Sequence, residues 1–498
     1  MSNKPDYIHP SLLAMLPIYK LVADCYEGEQ AVKGFVSHGY QSVNNGGGDS
    51  TNFSVSPYLP DPSPNSEKPE YRKKRYHDYV TRAVFYNVTK RTVNAMSGAV
   101  FAKYPTMTLN ELQVLEADAD GAGKSLTQMA REALTNCLKK SRGLLLADMP
   151  INTGGITKAN MAAQGVRPII VHYESDSIIN WRYRKVGGVL KQSLIVLSES
   201  YVTDDDGYEQ KTARQLLVLR LNADNKAESE VFRKDKGGEW ISQGINAMTD
   251  HNGKQLDDIP AYPYGAVNND LCPDDVPMSD IASVNIAHFR NSADYEEQNF
   301  ISAQPTLVIS GLTEQWVNEV MDGGVAIGSR SGLLLPQGGD AKMIQAEANG
   351  VLYEAMQDKK EMMIALGAKL VEQSKGAVKT ATEASSDNAD ATRVLSSIAN
   401  NVSDAFTKCI KACARYMGHD DKDLVMTLNT EFDFAKMTPQ QRQQLIAEWQ
   451  GGAITFGEMR SKLIESEVAQ IEDEVIAAQT IASEQGALFD NERVNDGE

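Results

Sequence analysis

The chain has 498 residues, 42% of them apolar and 23% charged, and a formal net charge of −18. That size allows two to four structural units with real cores, and the composition is ordinary for a folded protein. The acid excess excludes a bulk surface that grips nucleic acid, because phosphate contacts need Lys and Arg.

Five cysteines (Cys25, Cys137, Cys272, Cys409 and Cys413) form no CxxC, and such a scattered set suits a reducing compartment. The opening "MSNKPDYIHPSLLAMLPIYK" holds Asp6, His9 and only a short, Pro-broken apolar run, so it does not read as a signal peptide. No uninterrupted apolar run is long enough for a membrane span, so none is expected.

In chain order, a short helix is predicted over Leu12–Tyr26, followed by a Gly- and Pro-rich polar stretch to about residue 67. A long helix is predicted over Tyr71–Phe101. Arg72, Lys73, Lys74, Arg75, Arg82, Lys90 and Arg91 stand against Asp78 there, and a solvated helix face is the favoured reading of this basic segment. Residues 125–142 carry one 3.6-period stripe: Leu126, Met129, Ala130, Ala133, Leu134, Cys137 and Leu138. Lys139, Lys140 and Arg142 suit its last turn, and Gly143 is the expected stop. Strands are predicted at "GLLLADMP", "RPIIVHYE" and "IINWRYR". "LKQSLIVLSESYV" and "ARQLLVLRL" flank an Asp206-Gly207 hairpin turn. Residues 144–265 therefore read as a mostly β unit with an α flank.

A helix of roughly 33 Å follows at 279–301, with Ser279 or Asp280 as N-cap. Next comes a compact insert read as strand, helix (near Glu314–Met321) and strand, the last within "GVAIGSRSGLLLPQGG". A second long helix is predicted over Ala346–Gln373, then a small-residue break, "SKGAVKTATEASSDNAD". A third covers Ala391–Met417, with Leu395, Ile398, Val402, Ala405, Cys409, Cys413 and Tyr416 in its stripe. A strand at "LVMTLNTEF" and two short helices joined through Gly451-Gly452 follow. The end of the chain is acidic.

Candidate chemistry is sparse. "EADADGAGKSL" (116–126) mimics both a calcium loop and a phosphate loop. The phosphate loop would need Gly at Asp118, and the calcium loop would need Glu at Thr127. Ser125 and Gln128 instead form a capping box. "DDDG" (204–207) reads as a turn. "GSRSG" (328–332) has Arg330 where a hydrolase elbow needs Ser. Cys409 and Cys413 lie on the apolar stripe with no His in register, so they read as buried thiols. No catalytic residue, metal ligand or cofactor is expected. Three long helices with a small insert between the first two suggest the protomer of a ring, with helices lining a channel.

Several blocks, taken in order, resemble the portal (head-to-tail connector) proteins of tailed bacteriophages. They are "DCYEGEQAVK" (24–33), "YLP" (58–60), "TRAVFYNVTKRTVNAMSGAVFAKYP" (81–105) and "GAGKSLTQMAREALTNCLKKSRGLLLADMP" (121–150). Ile179-Asn180-Trp181, "DIASVNIAHFRNSADYEEQNFISAQPTLVISG" (280–311), "TATEASSDNAD" (380–390) and "LNTEFDF" with "EWQGGAITFGEM" continue the series. Ala102 departs from the family, which usually has Arg there. Residues 1–19 and 466–498 find no match.

The resemblance implies an α+β, mainly α, portal fold: an α/β wing, long stem helices, a small α/β clip and a helical crown. The wing would occupy 1–278, the stem helices 279–302 and 346–373, and the clip 303–345. A tunnel loop would span 374–387, the long helix and C-terminal wing part 388–450, and the crown with its acidic tail 451–498. It further implies a dodecameric ring at one capsid vertex of the virion, assembled in the host bacterial cytoplasm, for DNA packaging and ejection. Its partners would be further copies of itself, double-stranded DNA, the major capsid protein, the terminase large subunit and head-completion or tail adaptor proteins, with no membrane. Lys375, Lys379, Thr380, Thr382 and Glu383 would face DNA in the tunnel loop. Ser329 and Arg330 would dock motor or adaptor. The alternative is another virion structural or scaffold protein without a DNA channel.

Overall fold

Helix α1 (Pro10–Glu27) starts where Pro10 presets the first turn and His9 caps it, the ring Nδ1 accepting from the Ser11 amide at 3.2 Å. Leu12, Tyr19, Val22 and Cys25 make its buried face. The computed structural model describes residues 4–34, 56–62, 69–149, 166–304, 306–314, 337–345, 350–367, 381–432 and 439–465, with single positions 316, 318, 335, 469, 476, 479 and 480. They form two units, residues 1–430 and 431–498.

After α2 (Glu29–Lys33), the single helix predicted over 71–101 is two: α3 (Pro69–Arg82) and α4 (Val88–Val100). The break at 83–87 is held from elsewhere in the chain. Buried Asn285 accepts through Oδ1 from the amides of Val88 and Thr89, both at 3.2 Å, and from Thr89 Oγ1 at 3.0 Å. Its Nδ2 donates to Tyr86 O, and Ser292 Oγ accepts from the Val84 amide. Amides that a continuous helix would use internally are satisfied by a distant helix.

A short strand, β1 (Thr106–Thr108), and one helical turn, α5 (Val114–Ala117), lead to α6 (Leu126–Lys140). The capping box is present: Ser125 Oγ accepts from the Gln128 amide at 3.2 Å, and Gln128 Oε1 from the Ser125 amide at 3.0 Å. All seven residues of the expected stripe are buried. The helix ends at left-handed Ser141 (φ 61), not at Gly143. Gly143 lies in the next strand, where a Cβ would sit 2.1 Å from Tyr264 Oη. Close approach, and not helix termination, demands glycine there.

Two antiparallel sheets follow. The first has β2 (Arg142–Asp148) between β3 (Ile169–Glu174) and β9 (Ala261–Gly265). The second is a meander of β4 (Ile178–Val186), β5 (Val189–Asp205), β6 (Gln210–Leu221), β7 (Ala227–Lys234) and β8 (Trp240–Ala247). The β5–β6 turn is where Asp206-Gly207 placed it. Asp206 Oδ1 accepts from the amides of Tyr208 and Glu209, and Gly207 takes φ 85.

Where α1, α6 and the two sheets meet, Arg142 is fully buried. Its guanidinium lies 4.2 Å from the Trp181 ring and donates to Ser175 Oγ and Ile178 O, both at 3.2 Å. The His9 ring stacks on Trp181 at 4.0 Å. Burial lowers the Arg142 pKa to about 10, and among the described residues no carboxylate pairs with it.

Helix α7 (Ser279–Ser302) is N-capped by Met278 without a side-chain hydrogen bond, in place of the expected Ser279 or Asp280. Strands β10 (Thr306–Ser310) and β11 (Asp340–Ile344) pair antiparallel. Glu314, Trp316 and Asn318 are helical, as expected. The second strand of the insert was expected within 324–339, of which only 335 and 337–339 are described; the strand that pairs β10 is Asp340–Ile344. Helix α8 (Val351–Ala365) is the described part of the helix expected over 346–373. Helix α9 (Ala381–Met417) starts earlier than Ala391, so residues 381–387, read as loop, are helical. No Gly or Pro interrupts 381–417, and small polar residues tolerate a helix. The whole α9 stripe from Leu395 to Tyr416 is buried, and α9 packs on β2, β9 and α6. Strand β12 (Val425–Thr427) returns to pair β1. The second unit holds α10 (Pro439–Gln450) and α11 (Phe456–Glu465), linked through Gly451-Gly452. The fold is mixed α+β.

Candidate functional site

A region with little core of its own is the far half of α7, the β10–β11 pair and α8. Along α7, Ile281, Ala282, Ile286, Phe289 and Ala293 are buried, but beyond Ala293 only Ser302 is. Helix α8 packs on α7, and of its fifteen residues only Met363 is buried. Phe300, Ile301, Val308, Met343, Ile344, Val351, Tyr353, Met362 and Leu366 are large apolar side chains left exposed. Two strands alone make a marginal sheet, and a helix with one buried side chain has little of its own to hold it. Scattered exposed apolar residues need no explanation, but here they recur along consecutive elements.

Helix α7 is tied back to the body through its acidic side. Arg82 pairs with Glu297 and stacks 4.2 Å over Phe300, while Arg75 lies 3.7 Å from Glu297. Tyr79 Oη donates to Asp294 at 2.7 Å, and burial together with Asp294 pushes the Tyr79 pKa up. Arg290 Nε donates to Tyr58 O at 2.9 Å. The segment read as a solvated basic face is therefore partly spent in pairing: Arg75 and Arg82 hold Glu297 of α7, and Arg72 holds Asp61. Lys73 and Lys74 stay exposed. The acids at Asp294, Glu296 and Glu297 against the "RKKR" run were the signal that could have exposed this pairing.

At the α7–α8 contact, His288 is buried, and burial followed by Lys359 and Lys360 lowers its pKa. It stays neutral where two lysines approach it. Around it α7 carries Asp280, Asp294, Glu296 and Glu297 against Arg290, and α8 carries Glu354, Asp358 and Glu361 against Lys359 and Lys360. Both helices are thus net acidic.

Of the residues assigned to a tunnel loop, Lys375, Lys379 and Thr380 lie outside the described residues. Thr382 and Glu383 sit on the first turn of α9. Ser329 and Arg330, assigned to motor docking, also lie outside.

The other sequence candidates resolve into structure. In 116–126, Asp118 Oδ1 accepts from the amides of Gly121 and Gly123, and Asp120 Oδ1 from those of Ala122 and Lys124. Asp118 Oδ2 takes Arg167 Nη2 at 2.6 Å. The Gly123 amide leads the causes that hold the Asp118 carboxyl below its usual range. Those carboxylates therefore serve their own loop. Cys409 and Cys413 are buried, and burial holds the Cys409 thiol protonated. A cleft of about 350 Å³ between the β8–β9 loop and the end of α9 is lined by Asp250, His251, Asp258, Arg415 and His419 among others. There Arg415 is engaged by Asp258 and Tyr262, His251 by Arg415 O, and His419 by Glu111.

Residues 277–417 match the model of a family described as a domain of unknown function, DUF4055. That span runs from the start of α7 to the end of α9. No curated protein sequence matches the chain. Among solved structures it is similar to a chain in the virion of a native gene transfer agent (GTA) particle, with 15% identity and a TM-score of 0.40, covering 77% of this chain and 90% of that one. The neck of an empty GTA particle computed with C6 symmetry gives the same values. The neck of a native GTA particle computed with C12 symmetry gives 14% identity and a TM-score of 0.38 at the same coverage. Among the described residues no helix is long and apolar enough to cross a membrane.

Proposed function

We propose that this chain is the protomer of a phage portal, a homo-oligomeric ring at one capsid vertex through which DNA is packaged and ejected. The observation that carries the reading is α8, whose one buried residue and exposed Val351, Tyr353, Met362 and Leu366 suit packing against neighbouring copies. The sequence blocks that resemble portal proteins support the same reading. Negative-stain imaging of the purified chain tests it: a closed ring with a central hole is the expected result, and a monomer or a shell sinks it.

In this reading α7 and α8 are the stem. Their acidic balance would keep passing DNA from sticking, since attraction would brake translocation. Lys375, Lys379, Thr380, Thr382 and Glu383 would meet DNA near the tunnel constriction. Replacing both lysines with Ala should change the DNA packaged per procapsid, and unchanged packaging and retention would remove that role. Ser329 and Arg330 would dock the terminase large subunit and later the head-completion or tail adaptor, and the major capsid protein would surround the ring. The chain would carry no chemistry of its own. A nucleotide-hydrolysis assay should give no turnover; turnover would reassign it.

A further inference from the structure

The β5–β6 ribbon is longer than its own sheet requires. Strand β4 covers β5 only as far as Leu197, and β7 covers β6 only from Gln215 onward. Residues 200–205 and 210–214 therefore pair with each other alone. Both outer edges of this arm are unpaired among the described residues, and every residue from 202 to 212 is exposed. At a strand rise near 3.3 Å the arm reaches roughly 20 Å. Open edges of this length are a liability in a free chain unless something occupies them.

The root of the arm is rigid. Tyr173 Oη donates to Glu199, Gln215 Nε2 donates to the same carboxylate at 2.8 Å, and Arg233 Nε donates to Gln215 Oε1 at 3.0 Å. Arg233 also stacks 4.2 Å over Tyr201, and Arg214 Nε donates to Ser198 Oγ at 2.8 Å. A polar chain fixes the base, while the far end carries exposed Val202 and fully exposed Tyr208. That tip is acidic: Asp204, Asp205, Asp206 and Glu209 stand against Lys211. Asp205 and Asp206 hold turn amides and Asp204 pairs with Lys211 at 3.3 Å, so Glu209 and the net excess of acid over base are the tip's outward charge.

The complementary patch lies on a different element. Lys73 and Lys74 are exposed on α3, and among the described residues neither has an acidic partner, whereas Arg72 and Arg75 beside them do. Lys234, at the arm's end of its own sheet, is already drawn over the Trp240 ring. A ring needs a head-to-tail interface made of two unlike patches, one on each side of the protomer.

We propose that the β5–β6 arm is an intersubunit clasp whose acidic tip seats on the Lys73–Lys74 face of α3 in an adjacent copy of this chain. The proposal rests on the ring reading above. Exposed pairs of this kind are screened by salt, so the clasp sets how much salt the assembly withstands.

The test is ring fraction against sodium chloride concentration, read by native mass, for four full-length chains. These are the wild type, Asp204→Lys with Glu209→Lys, Lys73→Glu with Lys74→Glu, and all four changes together. Each double variant should lose its rings at a several-fold lower salt concentration than the wild type, at an unchanged melting temperature. The fourfold swap should recover most of the difference. Double variants that keep the wild-type profile overturn the clasp and leave the ring standing. A swap as weak as either parent removes Lys73 and Lys74 as the seat. A wild type that forms no ring overturns both readings.

Discussion

Helices α8 and α9 belong to one span of chain and live in opposite conditions. Helix α9 buries its apolar stripe from Leu395 to Tyr416 against β2, β9 and α6. Helix α8 has comparable apolar content, with Val351, Leu352, Tyr353, Met356, Met362, Met363 and Ile364, yet buries Met363 alone. The first helix finishes folding within its own chain. The second leaves Val351, Tyr353 and Met362 exposed and Leu352, Met356 and Ile364 only half-covered among the described residues. The hydrophobic gain from burying such residues is of the order of 2 kcal/mol each, so in the proposed ring α8 would gain much of its stability from neighbouring copies. In the proposed reading, the contrast separates a body that supplies rigidity from a stem completed by assembly.

The comparison can be broken first in the body. Gly143→Ala places a methyl 2.1 Å from Tyr264 Oη, between α6 and the three-stranded sheet. The expected loss is about 3 kcal/mol, because the surrounding core is closed and must shift. Urea unfolding of the monomer checks it; a shift below about 1 kcal/mol means that the core yields more than the geometry says.

Asn285→Ala comes next. It strips the acceptor from the Val88 and Thr89 amides in a buried helix start, and about 2–3 kcal/mol should be lost. Asn285→Asp keeps the acceptor but cannot donate to Tyr86 O. It should retain part of the loss, and equal effects of the two would show that the cap is not the cause.

The third test is pH. Burial pushes the His172 pKa down to about 4 from an ordinary 6.5. Tyr264 Oη, already accepting from Asn136 Nδ2, can give its proton only to a neutral His172 Nε2, 2.5 Å away. The unfolded chain therefore takes up the proton first. Stability contributed by the neutral ring is complete above pH 6.5 and declines as pH falls from 6.5 towards 4. The loss should approach about 2 kcal/mol, less than the full gap because the ring is part-exposed. His172→Phe should flatten that slope, and an unchanged slope assigns the dependence to other groups.

The smallest effect on the monomer is expected in α8. Tyr353→Ser with Met362→Ser should move monomer stability by no more than about 0.5 kcal/mol, since both side chains are exposed. The same pair should abolish or strongly weaken assembly. Intact rings with these changes would mean that α8 faces solvent after all.

Much of this fold was legible because much of it is local. The Ser125–Gln128 capping box, the Leu126–Leu138 stripe, the Asp206-Gly207 turn and the α9 stripe all depend on residues within a few positions of each other. What escaped depends on distance. The α3–α4 break is made by Asn285, almost two hundred residues on, and no periodicity at 83–87 announces it. Gly143 resembled a helix stop because its clash partner, Tyr264, is far away in sequence. Strand β11 was missed because "DAKMI" has weak strand character and forms only through β10. The candidate site was legible as architecture, a long helix, an insert and a second helix. Which acids of α7 are spent on Arg75 and Arg82 needed three dimensions.

The native mass of the purified 54.5 kDa chain tests the central claim most directly, that the stem is completed by copies of itself. The account predicts one closed species of twelve protomers, with no substantial monomer under dilute, low-salt conditions. A chain that stays at its monomer mass at every concentration, with α8 amides no more protected from hydrogen exchange than a frayed helix, would contradict it.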